Sequence, residues 1–224
     1  MSNIQSAENK TAIWKIALLC LVSGLLNTLL NYFINGVCGL PLYVDTLFTV
    51  AVYFSVGLLP ALITAILLLF NTFKYIYIMN LEVETALWTY LFVFCVILEV
   101  LLVFSFRKKL KPLDTDFRKN PSLYAFINLA PLFMLIAVLD CIMISVTGGI
   151  IDYILATLSV PKAYYPEDSF KLGLLSNNVS LLTASILSRV PINIVDRFFV
   201  IFGGYGVSLV YRKILGRNII YPLV

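Results

Sequence analysis

The chain has 224 residues, of which 61% are hydrophobic and only 12% are charged, and its mean hydropathy is +0.96. Soluble globular domains are about half apolar and a quarter charged, so this chain has too little polar surface for a water-soluble globule. The formal net charge of +4 comes without any histidine, which argues against zinc catalysis and Ser-His-Asp chemistry. The composition predicts one integral membrane domain, residues 1–224, with room for about six spans of about 20 residues.

In chain order, apolar runs separated by glycine, proline and polar residues predict six membrane-spanning helices. Gly148 and Gly149 are expected to end the fifth span, and residues 107–120 are expected to form a basic loop interrupted by Pro112. The predicted spans are residues 12–33, 42–58, 60–78, 86–106, 122–147 and 192–211.

The stretch before the last span is more polar than a lipid-facing helix. Its first part reads as an extramembrane loop around Glu167 and Asp168. Residues 172–188 are moderately apolar but carry several serine and asparagine residues, which favours a surface or re-entrant helix. The predicted fold is therefore an all-α, polytopic bundle of six spans with this extra polar helix before the last one.

The basic residues give the orientation. Six spans with a cytoplasmic N-terminus place every basic cluster on the cytoplasmic side, as the positive-inside rule requires, whereas a seventh span at 172–188 would place the basic C-terminal region outside. We therefore expect a multi-pass protein of the cell membrane with both termini in the cytoplasm. The basic residues concerned are Lys10, Lys15, Arg107, Lys108, Lys109, Lys111, Arg118, Lys119, Arg212, Lys213 and Arg217.

Polar side chains on four predicted spans fall at the same depth, toward the outer side. Ionised groups inside a membrane are costly, so each one needs a structural or functional reason. Their shared depth predicts an outward-open, polar, substrate-binding pocket; the alternative is a dry polar clamp that holds the helices together. The candidate residues are Asn27, Asn31, Asp45, Thr49, Asp140, Asn193, Asp196 and Arg197.

Glu99 and several tyrosines have other interpretations. Glu99 lies near the inner end of the fourth span, beside the basic residues 107–109, where a snorkelling carboxylate or a structural ion pair is expected. The tyrosines in or beside the outer loops are either membrane-interface residues or aromatic walls over a ligand. They are Tyr75, Tyr77, Tyr153, Tyr164 and Tyr165.

Two segments resemble a known family. They are LPLYVDT at 40–46, followed by GLLPA at 57–61, and RVPINIVDR at 189–197. These are similar to the substrate-binding membrane subunits, or S components, of energy-coupling-factor vitamin transporters, and to related integral membrane sensory domains. The resemblance implies a six-helix bundle that binds a vitamin or similar micronutrient in an outward-facing pocket. It also implies partners: a transmembrane coupling subunit and separate ATPase subunits.

In that family the coupling contact uses small residues on the first helix. The nearest match here is the face formed by Ala17, Cys20 and Gly24, which we expect to contact a partner. The absence of a P-loop motif agrees with an ATPase on a separate chain.

The sequence therefore predicts a solute-binding transport subunit for a vitamin-like small molecule, embedded in lipid. The alternative is a sensory or signalling membrane domain that acts through a separate chain. We expect no enzymatic activity, no cofactor, no metal site and no binding to nucleic acid.

Overall fold

The computed structural model describes residues 2–77, 83–158 and 167–216, and every regular element among them is helical. Two π-helical turns, Tyr32–Val37 and Phe199–Gly203, and a 3-10 turn, Tyr90–Phe92, join or extend α-helices. The α-helices are α1 (Ser2–Asn31), α2 (Leu47–Val56), α3 (Leu58–Ile66), α4 (Leu69–Tyr77), α5 (Val83–Thr89), α6 (Val93–Ser105), α7 (Arg107–Lys119), α8 (Leu123–Thr157), α9 (Asp168–Ser176), α10 (Leu181–Leu187), α11 (Val190–Phe198) and α12 (Gly204–Leu215).

In the part of the chain that the structure describes, four helical segments are long and apolar enough to cross a membrane: Ile13–Val37, Leu87–Ser105, Leu123–Thr157 and Leu181–Leu215. Two shorter apolar helices, Leu47–Val56 and Leu58–Phe73, lie between the first two of them in the chain. The outer faces of the long helices carry exposed apolar side chains such as Leu29, Ile142 and Phe199. The all-α membrane class predicted from composition is confirmed.

The short helix α2 lies at the centre of the bundle. Residues 49–56 are all buried, and α2 packs against α1, α3 and α12. Close contact with the last helix is possible because Gly204 has no side chain: a Cβ there would lie 2.9 Å from the carbonyl oxygen of Leu47. Gly57, with a φ of +112°, then reverses the chain directly into α3, a conformation that favours glycine.

The fifth predicted span is longer than expected. Gly148 and Gly149 do not end the helix, because α8 continues to Thr157. At about 1.5 Å per residue, its 35 residues exceed the roughly 30 Å hydrocarbon core of a bilayer. The two glycines serve packing instead: a Cβ on Gly149 would lie 2.6 Å from Ile186 Cγ1 and 2.7 Å from Ile186 Cα.

The polar stretch 172–188 is divided between two elements. Its first part belongs to α9, which ends at Ser176, and Asn178 adopts a φ of +61° at the break. Its second part forms α10, which starts at the Ser180 cap and leads into the long segment Leu181–Leu215. The last helical segment therefore starts earlier in the chain than the predicted sixth span.

The basic segment after the fourth predicted span is a helix and not a loop. Pro112 lies inside α7, on its exposed side, so the backbone hydrogen bond that a proline cannot make is lost away from the packed face of the helix. The opposite face is anchored by Asp114, which accepts hydrogen bonds from Tyr205 (2.9 Å) and from Arg212 Nη1 (2.8 Å). Arg212 also donates from Nε to the carbonyl oxygen of Phe54 (3.1 Å), so one buried guanidinium joins α12, α7 and α2.

Candidate functional site

A cavity lies between the chain segment that precedes α2, the helices α4, α5, α6, α8 and α11, and the 3-10 turn Tyr90–Phe92. About 80 Å³ of its space is open to the centre of a water molecule. Since one water molecule needs about 10–15 Å³ of such space, the cavity has room for several waters or one small solute. Its lining is formed by Tyr43, Asp45, Thr46, Leu68, Asn71, Thr72, Thr89, Tyr90, Phe92, Cys95, Val96, Ile144, Arg189, Asn193 and Arg197.

Arg197 is the centre of a buried charged network at the cavity wall. Its Nη1 lies 3.1 Å from Glu99 Oε1 and 3.8 Å from Asp140 Oδ2, and its Nη2 donates to Asp196. Glu99, Asp140 and Asp196 are fully buried. Three carboxyl groups from α6, α8 and α11 therefore surround one guanidinium, and Asp45 also lies near enough to interact with its charge.

The segment before α2 is joined to this network by two hydrogen bonds. The backbone N–H of Val44 donates to Asp196 Oδ1 (2.8 Å), and Arg197 Nη1 donates to Thr46 Oγ1 (3.3 Å). Val44 has a φ of +44°, a left-handed backbone conformation that β-branched residues rarely adopt. The bond to Asp196 helps to hold this strained turn, which places Tyr43, Asp45 and Thr46 on the cavity wall.

Two further ion pairs lie outside the direct contacts of Arg197. Arg189 Nη2 forms an ion pair with Glu167 Oε1 at 2.8 Å, and the other Glu167 oxygen accepts from the Tyr43 hydroxyl. Lys171 on α9 forms an ion pair with Asp152 near the C-terminal end of α8 at 2.5 Å. These contacts attach α9 and the residue preceding it to α8, to the start of α11 and to the Tyr43 segment.

The predicted site residues divide into three groups. Asp45, Asn193 and Arg197 line the cavity, and Asn193 donates to Ser145 Oγ at 2.9 Å. Asp140 and Asp196 are not in the lining but contact Arg197 from behind.

Asn27, Asn31 and Thr49 form the third group and do not reach the cavity. Asn27 accepts from the backbone N–H of Phe48 and donates to Thr49 Oγ1, both at 2.9 Å. Asn31 donates to the carbonyl oxygen of Tyr43 at 2.7 Å. The polar stripe on α1 therefore lies against the start of α2 and the segment before it, in the arrangement of an interhelical clamp.

The small-residue face of the first helix is largely occupied within the chain. Cys20 is buried and its Sγ lies 3.4 Å from the carbonyl oxygen of Pro60, while a Cβ on Gly24 would lie 2.8 Å from Leu67 Cβ. Of the three residues, only Ala17 is exposed. The partner contact on this helix stays a prediction, and Cys20 and Gly24 already pack against the chain's own helices.

The sequence pattern predicts a different partner for Glu99 from the one in the structure. It also does not place Arg189, Glu167 or Tyr43 in the predicted site. It associates Glu99 with the basic residues at the inner membrane surface, whereas Glu99 pairs with Arg197, 98 positions later in the chain. A signal is present for Arg189, which is four residues before Asn193 and eight before Arg197 on one helical face.

The tyrosines on the cavity wall differ from those expected. Tyr164, Tyr165 and the side chain of Tyr75 lie outside the described residues. The described cavity wall contains Tyr43 and Tyr90 instead.

The fold and site together define a helical membrane protein with a small, charged and aromatic cavity enclosed by its helices. The chain matches no protein-family model, and no curated protein or solved structure matches it.

Proposed function

We propose that this chain is a membrane-embedded solute-binding subunit of the S-component kind, which takes up a small molecule with the help of separate coupling and ATPase subunits. One observation carries the proposal. The segments 40–46 and 189–197, which bear the family resemblance and are far apart in the chain, meet at the cavity. Tyr43, Asp45 and Thr46 come from the first, and Arg189, Asn193 and Arg197 from the second.

The energetic cost of burying charged groups at this site supports a functional role for them. Ionisable groups within a membrane are expensive, and they are typical of substrate and ion pathways. Hydrogen bonds among apolar helices would be enough to hold a bundle together. The network around Arg197 goes beyond that need, because it brings three buried carboxyl groups to one guanidinium beside a cavity.

The proposed arrangement has six crossings, with both termini in the cytoplasm of the cell. In this arrangement Leu47–Val56 and Leu58–Phe73 provide the second and third crossings, although each is shorter than a usual span. A short helix and irregular backbone are tolerated at membrane depth when they are buried in protein and line a cavity, as α2 and the segment before it are. The elements around the cavity then meet in the outer half of the membrane.

The proposal is tested by detecting a bound solute and then by filling the cavity with a larger side chain, which should prevent binding. We expect native mass spectrometry of the protein, purified in mild detergent from cells grown in rich medium, to show a bound small molecule. Val96→Phe should abolish this adduct, because Val96 is buried in the cavity lining. Val138→Phe is the matched control, since Val138 is exposed on the apolar face of α8. A folded protein without any adduct, or an adduct that persists in a folded Val96→Phe variant, would overturn the proposal.

The partners are tested separately by affinity purification from membranes. Co-purifying ATPase subunits support transport, whereas a kinase or cyclase would support a sensory domain that binds the same solute.

A further inference from the structure

We propose that Glu99 and Asp140 hold a proton between them and form a proton-binding site behind the wall of the cavity. This inference concerns the charged network itself, so it does not depend on which solute the cavity takes or on whether it takes one.

The two carboxyl groups belong to different helices and meet inside the bundle. Glu99 lies on α6 and Asp140 on α8, both are completely buried, and their side chains lie within hydrogen-bonding reach of each other. Two ionised carboxylates only accept hydrogen bonds, so they cannot bond to each other, and their like charges repel. A hydrogen bond between these side chains therefore requires a proton on one of them.

The oxygen atoms of the pair lack other donors. Among the residues that the structure describes, neither carboxyl oxygen of Asp140 accepts a hydrogen bond, and neither does Oε2 of Glu99. A buried carboxylate without donors is costly, and an ionised group inside a membrane is costly for the same reason. One shared proton turns one acid into a donor and gives the other carboxyl group the partner that it lacks.

Arg197 does not replace this proton. Its Nη1 lies 3.1 Å from Glu99 Oε1 but 3.8 Å from Asp140 Oδ2, which is too far for a hydrogen bond. Its Nη2 donates to Asp196, and Asp196 also accepts from the backbone N–H of Val44, so this third carboxylate has two donors of its own. One guanidinium thus serves three carboxyl groups, and Asp140 makes the longest contact with it.

The surrounding groups supply no further positive charge. The charged side chains that face the pair come from α11 and from the segment before α2, and they are Arg197, Asp196 and Asp45. Arg189, at the start of α11, forms its ion pair with Glu167 instead. Within the described part of the chain, Arg197 is therefore the basic group in contact with the pair, and a proton is the remaining way to reduce its negative charge.

The cavity gives the site a route to water. Arg197 lines the cavity and contacts both carboxyl groups behind it, and the cavity has room for several water molecules. Buried carboxyl groups of membrane proteins recur in proton pathways. A proton that enters or leaves the pair changes the charge directly behind a residue of the cavity wall.

Infrared spectroscopy of the purified protein, without added solute and in a detergent that has no carbonyl group, detects the proton. A protonated carboxyl group has a C=O stretching band that an ionised one lacks. We expect such a band at neutral pH, and we expect it to shift when H2O is replaced by D2O, because the proton exchanges through the cavity. Wild-type protein without the band, or with a band that does not shift in D2O, overturns the inference whatever the variants do.

Two substitutions assign the band to the pair. Asp140→Asn and Glu99→Gln each replace one carboxyl group with an amide that donates the hydrogen bond itself, so each should remove the band. Asp152→Asn is the matched control: Asp152 is also a buried aspartate of α8, but it pairs with Lys171 at 2.5 Å, so its substitution should leave the band in place. A band that remains in both folded pair variants belongs to another group and overturns the inference.

Thermal unfolding of the same proteins gives a second readout. Asp152→Asn removes the charge that pairs with Lys171 and should lower the melting temperature, because it leaves a buried cation uncompensated. Asp140→Asn keeps the hydrogen bond to Glu99 and should cause a smaller loss or none. An equal loss in the two variants would mean that the fold needs Asp140 as an anion, which would overturn the inference.

Discussion

Asn27, Asn31 and Thr49 show how a polar residue inside a membrane protein can serve the fold. Asn27 uses both ends of its amide, accepting from the backbone of Phe48 and donating to Thr49. Phe48 lies in the first turn of α2, where a helix leaves N–H groups without intrahelical partners. A side chain from α1 thus supplies a partner that α2 lacks, at a position where Asn27 and Thr49 are both buried.

This arrangement predicts a stability effect for Asn27→Ala. The substitution leaves the Phe48 N–H and the Thr49 hydroxyl without their partners, which should cost about 1–3 kcal/mol. Denaturation of the purified protein in mild detergent measures the loss. Thr28→Ala is the control, because the Thr28 hydroxyl makes a 3.4 Å contact to Gly24 within its own helix. Unchanged stability together with lost solute binding would instead place Asn27 in the binding site, as the sequence pattern predicts.

The sequence predicts which polar residues belong to the region of the site, but it does not predict the role of each one. Depth along each span identifies Asp45, Asn193 and Arg197, which line the cavity, because depth follows directly from position in an apolar run. The direction in which a side chain points depends on helix rotation, which depth does not determine. For that reason Asn27 and Asp45 look equivalent in the sequence, and the nearest basic residues along the chain are not the partners of Glu99.

At the scale of the elements, α8 shows why paired glycines in an apolar run are ambiguous. Glycine ends many helices, but it also allows two helices to approach closely. Gly149 does the second, since a Cβ there would lie 2.7 Å from Cα and 2.9 Å from the backbone nitrogen of Ile186 on α10. Only the neighbouring helix decides between the two uses, and the sequence of α8 alone does not contain it.

We expect Gly149→Ala to destabilise the protein by about 1–3 kcal/mol, because the added methyl group forces α8 and α10 apart. Gly173→Ala is a matched control: Gly173 is also helical, but no atom lies within 4 Å of the position that its added methyl group would occupy. Its loss of unfolded-state freedom should be neutral or stabilising by about 0.4–1 kcal/mol. Thermal unfolding of the two variants side by side gives the comparison, and equal stabilities would contradict the close contact.

The basic segment α7 is recognisable from its charge but not from its shape. Its lysines and arginines are good helix formers, yet Pro112 and the polar composition favour a loop. The helix is held in place by Asp114, whose partners Tyr205 and Arg212 come from the last helix. Contacts between residues 91 and 98 positions apart leave no local trace in the sequence.

For the whole molecule, composition is sufficient to predict an all-helical membrane protein, and hydropathy locates the long helices. A minimum helix length is a poorer guide for α2, which is shorter than a usual membrane span and is buried from residue 49 to residue 56. Neighbouring helices cover these residues, so a helix of 10 residues has a buried place in the bundle although it is shorter than a usual span.

The proposed orientation predicts a labelling pattern with a membrane-impermeant maleimide on intact cells. Cys38 is exposed after the first helix and should react from outside, whereas Cys20, Cys95 and Cys141 are buried. Cys38→Ser should abolish labelling. In that background, Asn177→Cys should restore it, and Thr115→Cys on α7 should react only after the cells are permeabilised. The reverse behaviour of these two variants would contradict the proposed orientation.

The pairing of Arg197 with earlier helices also has a consequence for biosynthesis. Each charged side chain near the centre of an inserting helix costs about 2.5–3.5 kcal/mol, and α11 carries Asp196 and Arg197 side by side. The partners of Arg197 on other helices, Glu99 and Asp140, are synthesised before it. When the last helix leaves the ribosome, its counter-charges are already in the membrane, so its insertion depends on the helices that precede it.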